Sequence, residues 1–102
     1  MNTPHLERLR IYQYTFGSAH HGVLTTTIQS LEPKDILDIQ ERGDELVMWV
    51  VVDVNQIDRD YTVQICLAYT GDPPPGEGWF YVKTIQSEVD GLVYHLYIKQ
   101  DW

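Results

Sequence analysis

The chain has 102 residues, 43% of them hydrophobic and 12% aromatic, which is enough for one folded domain with a single core. Fifteen acidic residues against seven basic ones give a net charge of -8, which disfavours direct binding to nucleic acid and to anionic membranes. The charge leaves open a small anionic ligand held locally, or an acidic face that engages a basic protein. The lone cysteine, Cys66, excludes an intramolecular disulfide and a cysteine-based zinc site.

No targeting signal is evident in the sequence. The N-terminal residues lack the apolar segment of a signal peptide. No apolar run approaches the roughly 20 residues of a membrane helix. We therefore expect a cytoplasmic protein that does not engage a membrane.

The first part of the chain predicts three strands. Leu6–Phe16 is the first, and its expected buried residues are Ile11, Tyr12, Tyr14 and Phe16. Val23–Gln29 contains three consecutive threonines, which favour a pleated strand. Asp35–Glu41 is the third, with Leu37 and Ile39 inward and Asp38 and Gln40 outward. Between the last two, at most one short helical turn is expected, at Pro33.

Leu46–Val54 predicts a central strand. Both of its alternating sets are apolar, whereas a half-buried strand alternates apolar with polar residues. The segment should therefore be covered on both faces. The preceding Arg42–Asp44 carries a glycine between polar residues and predicts a tight hairpin turn.

The second part of the chain continues with strands and turns. In Tyr61–Thr70, apolar residues alternate with more polar ones, which predicts a strand with one face more exposed to water than the other. Trp79–Ile85 and Leu92–Lys99 are two further strands, and Asp90–Gly91 is a turn signal between them. The whole chain, 1–102, is thus expected to be a single all-β domain. It should form a small antiparallel β-sandwich or barrel of six to seven strands.

Two features favour a homo-oligomer. The central strand, Leu46–Val54, needs cover on its second face from a second layer or a second subunit. The C-terminal Trp102 has no evident place in the core.

The sequence contains few residues in the arrangements that are typical of catalytic sites. The sequence contains no phosphate-binding glycine loop, no metalloprotease motif and no nucleophile elbow. The four histidines are His5, His20, His21 and His95, and the adjacent pair would point to opposite faces if extended. We expect no enzyme activity, no metal and no cofactor, although His95 could titrate in a pocket.

The informative segment is the loop between Tyr69 and Tyr81. Three prolines stiffen it, its glycines permit close backbone approach, and aromatic residues flank it on both sides. Such a loop suits stacking on a planar ligand or gripping a partner protein. The candidate binding residues are Tyr69, Thr70, Gly71, Asp72, Trp79, Tyr81 and Lys83, with Lys83 expected on the same face as Trp79 and Tyr81. The alternative is a stiffened hairpin loop whose aromatic residues belong to the core.

Several segments together resemble a widespread family of small uncharacterised phage and prophage proteins. The segments that carry the resemblance are Ile11–Tyr14, Pro33–Gln40, Leu46–Asp53, Tyr69–Gly71, Thr84 and Gly91–Leu96. They cover most of the chain, which departs from the family pattern at Gly17–Gly22 and at Asp72–Gly78. The resemblance implies a phage or prophage accessory protein expressed inside a bacterium, and it carries no catalytic residues.

This origin implies a non-enzymatic protein that counters host defence. In one mechanism it sequesters a nucleotide immune signal, with Trp79, Tyr81 or Tyr69 stacked on a base. In another it inhibits a host defence protein through an acidic surface, as anti-CRISPR-like proteins do. The acidic candidates are Asp38, Glu41, Asp44, Asp58 and Asp60. A third alternative is a minor structural or assembly component of the virion.

Overall fold

Seven antiparallel strands make up the regular structure of a computed structural model that describes residues 8–18, 22–55 and 59–102. Their bounds are β1 Leu9–Ser18, β2 Gly22–Ile28, β3 Glu32–Arg42, β4 Glu45–Asp53, β5 Tyr61–Tyr69, β6 Phe80–Gln86 and β7 Val93–Gln100. The described part of the chain has no helix that could cross a membrane. Pro33 lies within β3, in place of the short helical turn that the sequence allowed there.

The strands form two sheets that pack as a sandwich. The three-stranded sheet has the order β1-β4-β3, and the four-stranded sheet has the order β2-β5-β7-β6. The prediction of an all-β sandwich or barrel is confirmed, and the two separate sheets make it a sandwich. Gly43 and Asp44 join β3 to β4 as the predicted tight turn, with Gly43 at a φ of 64° that glycine adopts without strain.

The core lies between the inner faces of the two sheets, the faces that each sheet turns toward the other. Met48, Val50 and Val52 of β4 are fully buried there. Residues from β5 and β7 meet them from the other sheet, and the fully buried ones are Val63, Ile65, Leu67 and Leu96. These side chains follow the period of two that a strand imposes, so the inward set of each strand can be read from its sequence.

The second face of β4 is covered only in part. Val47 is buried, whereas Trp49 and Val51 are half-buried. The guanidinium of Arg42 lies 5.5 Å from the centre of the Trp49 ring and shields one side of it. The expectation that both faces of this strand are covered is therefore met at Val47 and Asp53, and only in part at Trp49 and Val51.

One carboxylate is buried at the end of β4. Asp53 is fully enclosed, and it accepts hydrogen bonds from Arg8 Nε at 2.8 Å and from the Asn55 N–H at 3.0 Å. These partners offset the cost of removing its charge from water.

Some predictions of burial were wrong, and each failure has a local cause. Ile11 is 61% exposed and Tyr12 is also exposed, because β1 is an edge strand. The register of β1 also places Ile11 opposite Val51, on the outer face of the sheet. Leu37 is 49% exposed because a β-bulge between Ile36 and Asp38 interrupts the alternation of β3.

The side chain of Trp102 packs against the core of its own chain. Its ring meets Tyr61 edge-to-face at 6.0 Å. The oligomer expectation therefore loses the support that it drew from this residue. The link between β6 and β7 is also longer than a two-residue turn, since Ser87 pairs with Leu92 across it.

Side chains tie the sheets together at their edges. On one side, the Thr26 hydroxyl of β2 donates to the Thr15 carbonyl of β1 at 3.2 Å. On the other side, Lys83 of β6 donates to the Asp38 carboxylate and to the Ile39 carbonyl of β3. The hydrogen bond from Lys83 is the main cause that lowers the pKa of Asp38 below its ordinary value.

Replacing Lys83 with Met should lower the free energy of unfolding at pH 7 by about 1 kcal/mol, since the pair is partly exposed and screened by water. Because the pKa of Asp38 is lowered by folding, this contribution is present above the unfolded Asp pKa of about 3.9 and is lost as the pH falls through the folded value. The difference between the wild type and Lys83→Met in urea unfolding should therefore shrink as the pH falls below about 4.

Lys34→Met is the matched control, because Lys34 pairs with Glu32 within one strand and joins no sheets. It should change the stability by less than about 0.5 kcal/mol. A loss for Lys83→Met that stays constant down to about pH 2 would contradict the role given to Asp38.

Candidate functional site

The outer face of the four-stranded sheet carries the candidate site. Alternation along β5 turns Gln64, Cys66 and Ala68 outward, as the sequence predicted. The paired positions on β7 are Lys99, Tyr97 and His95. The short side chains of Cys66 and Ala68 on β5 therefore lie beside Tyr97 and His95 on β7, and we call this strip of the outer face the trough.

Three cross-strand pairs form a ridge along the trough. His95 is opposite Thr84, and Tyr97 is opposite Tyr81, whose ring it meets edge-to-face at 5.7 Å. The Lys99 ammonium lies 4.9 Å from the centre of the Trp79 ring. Such pairs stabilise a sheet by roughly 0.2–1 kcal/mol each, and here they also present rings and polar groups at the surface. We call these three pairs the aromatic ladder.

A chain of hydrogen bonds crosses the top of the ladder. The Thr70 hydroxyl bonds to Nε2 of His95 at 2.8 Å, and Nδ1 of His95 bonds to the Thr84 hydroxyl at 3.1 Å. The Thr84 hydroxyl in turn bonds to the Tyr81 hydroxyl at 2.6 Å. Neutral imidazole has one donor and one acceptor, and a hydroxyl group can fill either role, so both ring nitrogens have a partner in either tautomer. Both ring nitrogens of His95 are thus engaged by hydroxyl groups, which holds the imidazole in place beside the cleft.

A shallow cleft lies between the ladder and the proline-rich loop. Its volume is about 270 Å³, close to the lower limit for ligand pockets. The lining residues are Ala68, Tyr69, Thr70, Gly71, Asp72, Pro74, His95 and Tyr97. It is large enough for one planar ring or one sugar.

Local sequence explains how the loop forms the wall of this cleft. Gly71 has a φ of 103°, which a residue with a side chain adopts only under strain. The Asp72 carboxylate accepts the Tyr69 N–H at 3.0 Å, and the Asp72 N–H donates to the Tyr69 carbonyl at 3.0 Å. This closed turn directs the stiff proline segment over the outer face of the sheet.

The structure brings most of the predicted binding residues to this region. Thr70, Gly71 and Asp72 line the cleft, and Trp79 and Tyr81 belong to the ladder. Tyr69 contributes to the lining of the cleft, and its ring lies 4.8 Å from that of Tyr94. A hydrogen bond from the Tyr69 hydroxyl is the largest of the effects that raise the pKa of Tyr94.

Lys83 does not join the site, which corrects the expectation that it shares a face with Trp79 and Tyr81. A β-bulge between Tyr81 and Lys83 adds one residue to β6 and reverses the alternation after it. Lys83 is consequently opposite Leu96, an inner-face residue, and reaches Asp38 of the other sheet. Lys99 is the cation that lies beside the aromatic residues.

Sequence reasoning left several residues of this region out of the candidate site: Ala68, Pro74, Thr84, His95, Tyr97 and Lys99. The alternation of β7 had already set His95, Tyr97 and Lys99 on one face. What was missing was the pairing of β5 with β7, which joins residues about 30 positions apart and cannot be read from local pattern.

The described residues contain no group of three potential metal ligands among histidine, cysteine, aspartate and glutamate. His5, His20, His21 and Asp58 lie outside those residues. The site as described therefore consists of aromatic rings, hydroxyl groups, an imidazole, an ammonium group and the carboxylate of Asp72.

Cys66 forms part of the trough, and its thiol can report on it. Burial is the main cause that raises the pKa of this thiol, and the charge of Asp72 adds to the effect. A raised pKa means less thiolate, the form that attacks disulfide reagents. We expect Cys66 to react with an aromatic disulfide reagent at pH 8 roughly tenfold more slowly in the folded protein than in urea.

Asp72→Asn should raise the rate of this reaction in the folded protein, because it removes a negative charge that disfavours the thiolate. Asp44→Asn, in the distant β3–β4 turn, should leave the rate unchanged. Equal rates in the folded and unfolded states would contradict the half-buried position of Cys66.

Comparison with known proteins identifies a family and nothing more specific. A model of a domain of unknown function, DUF7352, matches residues 8–101. No curated protein and no solved structure matches the chain. Since the match covers nearly the whole length, the chain belongs to the DUF7352 family of domains of unknown function.

Proposed function

We propose that this protein is a non-enzymatic binding protein that sequesters a nucleotide-like small molecule on the outer face of its four-stranded sheet. The observation that carries the proposal is the cleft of about 270 Å³ that adjoins the aromatic ladder. A concave wall, flat rings and a few oriented polar groups are the usual components of a small-molecule site.

The rings of the ladder provide the stacking surfaces. Tyr81 is 57% exposed and packs edge-to-face against Tyr97, which itself lines the cleft. Stacking of a nucleic-acid base on an aromatic side chain contributes about 1–3 kcal/mol and accepts any base. A planar base therefore suits this surface.

The polar side chains of the site suit the sugar and phosphate end of a nucleotide. His95 and Lys99 are four residues apart on β7, which separates them by about 13 Å along the strand. That distance matches a nucleotide, with the base beside His95 and an anionic group near Lys99. A single ammonium suits one or two phosphate groups, whereas the net charge of -8 disfavours a nucleic-acid strand.

The biological setting of the proposal is a phage or prophage gene expressed in the bacterial cytoplasm. It is supported by the resemblance of Leu46–Asp53 and the other segments to small phage proteins. In that setting, a protein that removes a nucleotide signal from solution would counter a host defence without catalysis. This function requires only that enough protein is present to bind the nucleotide, because a bound nucleotide is no longer free in solution.

The alternative is an inhibitor that binds a host defence protein through acidic side chains, and the geometry supports it less. Asp38 is paired with Lys83, and the Glu41 carboxylate accepts hydrogen bonds from Ser87 and from the Glu88 N–H. Two of the five acidic candidates are therefore used to hold the sheets together.

Calorimetric titration with a panel of mononucleotides, cyclic dinucleotides and cyclic oligonucleotides tests the proposal. Tyr81→Ala should weaken binding of the nucleotide that gives heat by roughly five- to 150-fold, because one stacking contact is lost. Phe80→Ala is the matched control: Phe80 is 71% exposed and adjacent in sequence, but it is opposite Ile98 on the inner face.

Phe80→Ala should leave the affinity unchanged, and thermal unfolding followed by circular dichroism confirms that both variants are folded. Absence of heat with every nucleotide, together with a host protein that co-purifies at stoichiometric amounts, would overturn the proposal in favour of the protein-binding alternative. Equal losses for the two variants would also count against the ladder as the binding surface.

A further inference from the structure

Thr70 carries a hydroxyl group that a ligand in the cleft can reach. The residue is exposed, directly follows β5 and lines the cleft together with His95 and Tyr97. Its hydroxyl oxygen is 2.8 Å from Nε2 of His95. A ligand that contacts this hydroxyl is therefore only one hydrogen bond away from the imidazole.

The hydrogen bond between Thr70 and His95 can run in two directions, because a hydroxyl group has one proton and can also accept. When Nε2 carries the proton of the neutral imidazole, it donates to the Thr70 oxygen, and the Thr70 proton is left for the ligand. When Nδ1 carries that proton, Thr70 donates to Nε2 and can only accept from the ligand. The tautomer of His95 thus decides whether Thr70 is a donor or an acceptor in the cleft.

The residues on the other side of the imidazole accommodate both tautomers. The Thr84 hydroxyl is 3.1 Å from Nδ1 of His95 and 2.6 Å from the Tyr81 hydroxyl, and either hydroxyl can be the donor. When Nδ1 accepts, Thr84 donates to it and accepts from Tyr81. When Nδ1 donates, Thr84 accepts from it and turns its own proton to Tyr81, which is 57% exposed and can exchange hydrogen bonds with water. Neither hydroxyl forces one tautomer on His95.

Protonation of His95 removes this choice. An imidazolium ion donates from both ring nitrogens, so the hydroxyl groups of Thr70 and Thr84 both accept. The Thr70 proton is then available to the ligand. The Thr70 oxygen, which already accepts a charge-assisted hydrogen bond, becomes a weaker acceptor for a second donor.

The groups around His95 leave it as the one that responds to pH near neutrality. Those that surround it among the described residues are Asp72 of the loop, Cys66 of β5, Tyr81 of β6, and Tyr97 and Lys99 of its own strand. Of these side-chain types, only imidazole ordinarily changes charge between pH 5 and 8. Burial raises the pKa of the Cys66 thiol, which moves its titration further from this range.

We propose that His95 selects, through Thr70, the hydrogen-bonding group of the ligand that enters the cleft. Neutral His95 allows Thr70 to bind a donor or an acceptor at the edge of a planar ring. Protonated His95 favours an acceptor, such as the keto oxygen of a base. His95 is thus a positioning residue, since both of its ring nitrogens are engaged by hydroxyl groups of the protein. The inference rests on the proposed function, because it requires a planar ring in the cleft.

Two planar probes of opposite hydrogen-bonding character test this inference. One is uracil methylated on both ring nitrogens, whose keto oxygens only accept, and the other is indole, whose N–H only donates. Neither probe changes charge between pH 5.5 and pH 8. NMR titrations that follow the amide signals of Thr70 and Gly71 give both dissociation constants at each pH. We expect their ratio to shift toward the methylated uracil by roughly two- to tenfold at pH 5.5, the effect of one hydrogen bond.

Two variants identify the residues that cause the shift. His95→Gln keeps one donor and one acceptor but has no group that titrates, so its ratio should not depend on pH. Thr70→Val removes the hydroxyl that contacts the ligand, and it should abolish the shift although His95 still gains its proton. Thr25→Val is the matched control, since Thr25 is exposed on the outer face of the same sheet, with β5 between it and β7. It should retain the full shift.

A ratio that is the same at both pH values in the wild type would overturn the inference and leave the proposed function standing, because both probes still bind. A shift that survives in Thr70→Val, or in His95→Gln and so arises from another histidine, would overturn it as well. Binding of neither probe would also overturn it. The proposed function fails with it only if every nucleotide of the calorimetric panel gives no heat.

Discussion

Burial of one alternating row of β4 is the constraint on which the rest of the structure depends. Met48, Val50 and Val52 are enclosed between the sheets, and they can be enclosed only if Trp49 and Val51 point the other way. The same rule applies to β5 and β7 across the core. Both outer surfaces are therefore consequences of the register of the core, and a slip of one residue would exchange inside for outside.

The edge strands are where this regular pattern is interrupted. Every register shift of the two sheets lies in β1, β3 or β6, each of which is at an edge. Bulges are common at sheet edges, where they bend the strand and discourage pairing with another chain. Here they also redirect side chains. The bulge in β6 turns Lys83 inward to join the two sheets, and the bulge in β3 exposes Leu37.

The two outer faces differ in chemistry because their strands differ in composition. On the three-stranded sheet, Trp49 and Val51 of β4 lie between apolar and polar residues of the two edge strands. The four-stranded sheet combines small residues on β5 with aromatic and polar residues on β6 and β7, which creates a trough with a ridge. The proline-rich loop closes one side of that trough through the turn at Gly71 and Asp72.

The sequence by itself determined the strands of the second half of the chain, the inward and outward sets of β5 and β7, and the hairpin at Gly43, because these follow from local alternation and turn chemistry. It also named Thr70, Gly71 and Asp72 as candidate binding residues, and the structure places them at the cleft. Only the tertiary structure decided that Ile11 is exposed, that Lys83 leaves the site and that His95 joins it. Strand order, edge position and bulges depend on pairing between distant segments, and that pairing leaves no periodic signal in a single sequence.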